Sequence, residues 1–428
     1  MKKPTIFLAV FLMASVMLNA QTLLDKYKSG AINLIPDSEY AIGVDWDRAL
    51  ESWNDTMVGR WVGDRKSLMV TPDGSAIVSH HFRDFYTVFS PEGVFEGELQ
   101  VKNRQGRPYR SLPHLHGVLD GRILYSGINN TGVMYCFDRQ GNLIKTLHLD
   151  YAARQIIPLP GKRLALVGWV IWSGSTREFV AIVDYETNEQ QIIWDRFNPR
   201  TFSPGAARNR FYYEYSFRDG GMVSCSTMPF VRAMGMSYPP IIAYIKDRLI
   251  VTIPETGEIL TYDLNGKLIR EQTIDWAKTY VSVEEQKEIQ RKAIERYRNI
   301  NEPRFAAWAS PAENRAARDY FVQEMEKDLA AINQPIQMPM FSTLIKDSDD
   351  NLLFFEFPKE EGDNKFNVWI YTNGGQFVAQ SSFQVEDYVL EIKPSKMVFH
   401  DGYIYALVEK KGAGGVPLRV VRFALTTK

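Results

Sequence analysis

Apolar and polar positions alternate in short runs along most of this chain, and turns rich in Gly, Asp and Asn cut the runs at recurring intervals. Alternation with period two predicts half-buried β-strands. The clearest copy opens with the turn Asp120-Gly121. It continues through an apolar strand at 122–127, a loop, and a second strand at 133–138. It then turns at Gln140-Gly141 and ends in a third strand at 142–150. The opening turn returns at Asp73-Gly74, Gly161-Lys162, Lys246-Asp247, Asp349-Asp350 and Asp401-Gly402. A second turn recurs at Pro91-Glu92-Gly93, Asp138-Arg139-Gln140-Gly141, Asp184 to Asn188, Asp263-Leu264-Asn265-Gly266 and Thr372-Asn373-Gly374-Gly375. Hairpin turns favour these residues because they tolerate positive φ.

Where nothing interrupts the repeat, its spacing matches the roughly 40–50 residues of a four-stranded propeller blade. One such unit cannot bury both of its faces, so copies must stack. The pattern predicts an all-β chain, a six-bladed β-propeller forming a single domain over residues 21–428. A seventh blade is the alternative, because residues 198–240 hold strand-like runs at 211–217 and 221–228. The last copy ends at Arg422-Phe423-Ala424, with almost no chain left for an outer strand. A ring then closes if the N-terminal segment supplies that strand, and residues 39–46 or 56–62 are the expected donors.

Two stretches break the repeat. In residues 280–340 the period changes from two to 3.6, which predicts an inserted α-helical pair. Ser282-Val283-Glu284-Glu285 opens one helix with a capping box, and Ser310-Pro311-Ala312-Glu313 opens another with Pro at its first position. Ala317, Phe321, Met325 and Leu329 give the second helix one apolar face. The other stretch, residues 196–240, is an aromatic-rich insertion.

Lys2 and Lys3 precede an apolar run at 6–18 and the small residue Ala20. This predicts a secretory signal peptide over residues 1–20, with Leu18 a departure from the small-residue pattern, and a periplasmic or secreted protein. An uncleaved anchor is the rival reading. No other long apolar run occurs, so no transmembrane span is expected in the mature chain. Of 428 residues 24% are charged, and the net charge is −1. Without a basic stripe, nucleic acid is not an expected partner. Cys136 and Cys225 are the only cysteines. Each falls in an apolar strand, so two separate buried thiols are expected.

In a propeller, the loops joining second and third strands emerge on the same face as the connections between blades. That rim and the central channel are the expected ligand side. His80, His81, Arg83 and Asp84 occupy the first such loop, and His114 and His116 begin the next innermost strand. Residues two apart share a strand face. Paired imidazoles can hold Zn²⁺ or exchange protons; the plainer reading is rim residues bonded to backbone. Asn129, Asn130, Trp169 and Trp172 belong to neighbouring rim loops, and a tryptophan there can stack on a ligand or seal the packing between blades. The run Asp347-Ser348-Asp349-Asp350-Asn351 resembles a calcium loop only superficially, because Leu352 stands where that loop needs Gly. No nucleophile elbow, phosphate-cradling Gly loop or His-Glu-x-x-His motif occurs.

The paired turns, Asp120-Gly121 with Phe137-Asp138-x-x-Gly141 and Lys246-Asp247 with Tyr262-Asp263-x-x-Gly266, resemble the six-bladed propellers of the NHL and TolB-like groups, common as exported proteins of Bacteroidetes. The resemblance covers about residues 67–425. It implies blade architecture, and either a binding scaffold or a lactonase or lyase with a metal in its channel. The reading that follows is an exported propeller that binds a ligand or partner protein without a cofactor. The alternative is a lyase or hydrolase assisted by a divalent metal.

Overall fold

The computed structural model describes residues 22–427, apart from 52–65, 81–84, 110–113, 122, 128–131, 150, 173–174, 199–211, 227–238 and 357–363. Strands form where the alternation places them. Sheet 1 holds Lys66–Val70, Ala76–His80, Phe85–Phe89 and Phe95–Gln100. Sheet 2 holds His114–Leu119, Ile123–Gly127, Val133–Phe137 and Leu143–His148. Sheet 3 holds Ala152–Leu159, Arg163–Trp172, Ser175–Asp184 and Gln190–Asn198. Sheet 4 holds Ile241–Ile245, Arg248–Ile253, Glu258–Asp263 and Leu268–Thr273. Each is an antiparallel meander in chain order. Thr343–Lys346, Leu352–Phe355, Lys365–Tyr371 and Phe377–Gln384 make sheet 5, and Met397–His400, Tyr403–Lys410 and Leu418–Thr427 begin sheet 6.

The first strand of each sheet touches the first strand of the next, and that of sheet 6 touches that of sheet 1. The order is therefore cyclic around an axis, which is the architecture of a β-propeller. The core is divided accordingly, with an apolar cluster between every neighbouring pair of sheets. In Lys66–Val70, Leu68 packs toward sheet 6 while Met69 packs toward sheet 2. Alternate residues thus serve alternate interfaces, and this is why several inner strands are buried on both faces.

The turns follow the expected residues. Gly74, Asp120, Gly121, Gly161, Lys162, Lys246, Asp247, Asp350, Asp401 and Gly402 all have positive φ at the first turn. Gly93, Gly141, Asn188, Gly266 and Gly375 do so at the second. Asp138 shows how the second turn is held. Its Oδ1 accepts from the N–H groups of Gln140 and Asn142 at 2.9 and 2.8 Å. Asp347 is held in the same way at a first turn, by Asp349 and Asn351 at 2.9 and 2.8 Å, and its other oxygen accepts from the Tyr27 hydroxyl at 2.9 Å. The aspartate of the calcium-like run is thus engaged by protein donors.

The chain's beginning corrects one expectation. Ile32–Pro36 runs antiparallel to Leu418–Thr427 and parallel to Phe377–Gln384, so it is the outer strand of sheet 6 and joins it to sheet 5. Residues 39–46 are instead turns leading to helix α2 (Trp46–Leu50), and 56–62 lie outside the described residues. Helix α1 (Leu23–Lys28) precedes the strand and buries Tyr27 fully against sheets 5 and 6.

Both interruptions leave the ring at the connections between sheets. Helix α3 (Val283–Arg298) and helix α4 (Pro311–Ala331) each carry a complete capping box, on Ser282 and Ser310. Tyr280–Val281 pairs with Ile336–Gln337 and closes the base of the helical segment. The earlier stretch contributes the hairpin Tyr212–Ser216 with Met222–Ser226. That run, the source of the seven-blade alternative, is a two-stranded sheet outside the ring. Tyr213 and Phe217 of the hairpin pack with Ala293, Ile294 and Tyr297 of α3 and Ala317, Phe321 and Met325 of α4. The two insertions therefore share one core and form a single module. Among the described residues no helix is long and apolar enough to cross a membrane. Cys136 and Cys225 are both free, and burial pushes their thiols up to about 12 and about 11.

Candidate binding rim

Backbone register carries several predicted residues to one rim. Lys66 pairs with His80, His114 with Gly127 and Trp172 with Ser175, and each pair closes its strand pair at the rim end. His81, Arg83, Asn129 and Asn130 lie outside the described residues, as do the side chains of His80, His114 and Trp172. His116 is described. The pairing steps from Leu115↔Ser126 to Gly117↔Tyr125, so His116 is the extra residue of a β-bulge. A bulge re-aims a side chain relative to the regular pleat. One residue away, the Leu115 N–H donates to Ser79 Oγ at 3.4 Å, and Ser79 Oγ also shares a short hydrogen bond with Ser67. The second strand of sheet 1 is thereby tied to the innermost strand of sheet 2 one residue before His116.

Sheet 3 differs from its neighbours in length. Its second and third strands have ten residues each, against five or six in sheets 1, 2 and 4. At about 3.3 Å per residue, such strands run for about 33 Å. Their turn at Gly161-Lys162 is aligned with the first turns of the other sheets, so the added length rises on the rim side. Trp169 sits on this extension, half-buried, with the Arg154 guanidinium 5.1 Å above its ring. Phe197 is exposed near the end of the outer strand, and Arg177 lies over it at 5.7 Å.

Charge converges just below. Glu178 is 2% exposed and receives the Arg196 Nε–H at 3.0 Å. A second nitrogen of Arg196, Nη1, donates at 2.6 Å to Glu255 in the rim loop of sheet 4. One guanidinium thus bridges two carboxylates on neighbouring sheets and also lies 5.6 Å from the Trp194 ring. The rim residues expected from the sequence did not include Glu178, Arg196 or Arg154. The available signal was the ionisable pair Arg177-Glu178 at the head of the apolar run that continues as Phe179, Val180 and Ala181.

The module is rooted at this rim. The Met340 N–H donates to Pro254 O at 2.7 Å, and Met338 N–H to Thr279 O at 2.9 Å. On the opposite side of the ring Lys396 is fully buried, 2.8 Å from Glu391 Oε1, and Lys393 holds the other oxygen at 2.9 Å. Burial pushes the Glu391 carboxyl up, but the two ammonium groups outweigh it and hold it below its ordinary value. Among the described residues no three His, Cys, Asp or Glu side chains gather into a metal-sized group. The rim as described offers aromatic faces, arginines and carboxylates on rigid strands, a set suited to recognising a polar ligand or a protein surface.

The sequence matches no family model and no curated protein. Among solved structures, the chain is similar to a member of the DUF4221 family from Bacteroides vulgatus, at 11% identity and a TM-score of 0.45, over 94% of this chain and 100% of that one. It is also similar to a putative exported protein from Bacteroides fragilis, at 9% identity and a TM-score of 0.43, over 86% and 91%. A streptogramin B lyase matches at 10% identity and a TM-score of 0.36, over 84% and 93%.

Proposed function

We propose that this chain is an exported, six-bladed β-propeller of the NHL/TolB-like kind that binds a ligand or partner protein through one rim and its channel, without catalysis. The cyclic order of inner strands supports the blade count, and the charged, apolar and small residues at the N-terminus support export. The observation that carries the binding reading is the asymmetry of the rim. The extension of sheet 3, the Arg196 bridge and the root of the inserted module all lie on the same face. Added structure confined to the loop side of a rigid scaffold is how such scaffolds acquire recognition.

His80, His81, Arg83, His114, His116, Asn129, Asn130, Trp169 and Trp172 are the proposed ligand-binding residues. The bulge at His116 favours one further reading, in which imidazoles of sheets 1 and 2 hold a divalent metal for a lyase or hydrolase acting on a lactone or polysaccharide. Screening the mature chain against peptide and glycan panels, then mapping ligand protection by hydrogen exchange, separates the two. The binding reading predicts protection in 114–119, 163–178 and 254–257 with no turnover. Protection confined to the opposite, first-turn face would overturn it. Stoichiometric metal with turnover that is lost in His116→Ala would install the metal reading.

A further inference from the structure

Trp308 lies in the loop between α3 and α4 and is 57% exposed, although its ring is tightly held from below. The outer end of the indole's six-membered ring packs on Gly221 of the inserted hairpin, so closely that a Cβ there would sit 2.6 Å from Cζ2. Phe217 meets it edge-on, with ring centres 4.9 Å apart at 74°. Gly221 has no side chain to lift the ring, and Phe217 is itself buried in the module's core. The indole is therefore a ring seated on the module, with more than half of the residue exposed to solvent.

The surroundings of that plane are polar. Arg218 and Asp219 follow Phe217 in the hairpin turn, and both are exposed. Asp219 Oδ1 accepts the Gly221 N–H at 3.0 Å, which sets the turn beneath the ring. Ser310 caps α4 two residues beyond Trp308 and holds Glu313 through its capping box. Hydrogen bonds to Ser310, and more weakly the Arg218 charge, hold the Glu313 carboxyl below its ordinary value. The hairpin turn at Gly221 and the start of α4, the segments next to Trp308, thus carry charge of both signs.

We propose that Trp308 is the platform of a saccharide-binding site on the inserted module, stacking the C–H face of a pyranose while Arg218 and the neighbouring carboxylates meet its hydroxyls. The electron-rich face of an indole attracts the polarised C–H bonds of a sugar ring. Vicinal hydroxyls both donate and accept, which matches neighbours of mixed charge; a guanidinium nearby would repel a cation. A protein partner would need roughly 800 Å² with several apolar anchors; among the described residues of the hairpin and the α3–α4 loop, the large exposed apolar side chains are Trp308 and Met222. Preorganisation by Gly221 removes part of the ordering cost of binding. The site is separate from the channel rim and stands or falls independently of it.

Titration calorimetry of the mature chain with maltohexaose, cellohexaose, xylohexaose and mannohexaose, into the millimolar range, tests the proposal. At least one hexaose should bind saturably. Trp308→Ala should weaken it by about tenfold or more with the melting temperature unchanged. Gly221→Ala keeps the indole but lifts it from its seat, and should also weaken binding. Absence of binding by all four sugars overturns the proposal. So does undiminished affinity in Trp308→Ala or in Gly221→Ala. Trp308-dependent binding of tetramethylammonium, without any sugar binding, would assign the platform to cations instead and equally overturn it.

Discussion

Glu178 is a carboxylate with almost no contact with water, and Arg196 is what makes that tolerable. Removing one partner of a buried pair leaves an uncompensated charge, at a cost of about 3–5 kcal/mol. Arg196→Ala should therefore destabilise the protein by about 3 kcal/mol in urea unfolding, and Arg196→Ala with Glu178→Gln should recover part of that loss. Glu391 carries a pH signature. Its folded pKa is depressed, so its pairing contributes stability above the unfolded value, and this is lost as pH falls through the lower folded value. Lys396→Met keeps the packing but removes the main cation, so the stability lost as pH falls below the ordinary carboxylate range should shrink; melting temperature against pH reads this directly. An unchanged acid limb would mean that Lys393 alone sets the carboxyl. At this scale the sequence was least legible. The alternation shows that Glu178 occupies a strand, but only tertiary pairing shows which charge neutralises it. For the rim histidines, backbone register alone could be anticipated.

At the scale of elements, the turns and helix starts were readable because their causes are local. Asp138 supplies its own acceptor to Gln140 and Asn142, and Ser282 and Ser310 exchange hydrogen bonds with Glu285 and Glu313 three residues away. The closing strand was not readable in this way. Ile32–Pro36 has five residues and ends in proline, so it resembles a loop; its strand state comes from Leu418–Thr427 on one side and Phe377–Gln384 on the other. Its Leu34 is 2% exposed in the cluster between sheets 5 and 6. Deleting residues 22–36 should uncover the strand edge at residues 423–427, lower the melting temperature markedly and drive aggregation in size-exclusion chromatography. Tyr27→Phe is the mild counterpart. It removes one buried hydrogen bond to Asp347, with a loss of about 1 kcal/mol.

The whole molecule is a ring of sheets that carries one module on its loop side. In the sequence both stretches stand out because each breaks the repeat. Their union could not be read there, since the hairpin and the helices join only through side chains such as Tyr213, Phe217, Phe321 and Met325 that meet in space. Binding on that face requires the module to behave as one body while the ring stays intact. Native-state hydrogen exchange on the full chain, with and without Phe321→Ala, decides this. The substitution empties a fully buried site in α4 and should cost about 3–5 kcal/mol locally. Amides of the hairpin Tyr212–Ser226 should lose protection together with those of α3 and α4, while sheets 1 and 2 keep theirs. A hairpin whose protection ignores the change in α4, or a loss spread equally over the ring, would contradict a ring bearing a single separate module.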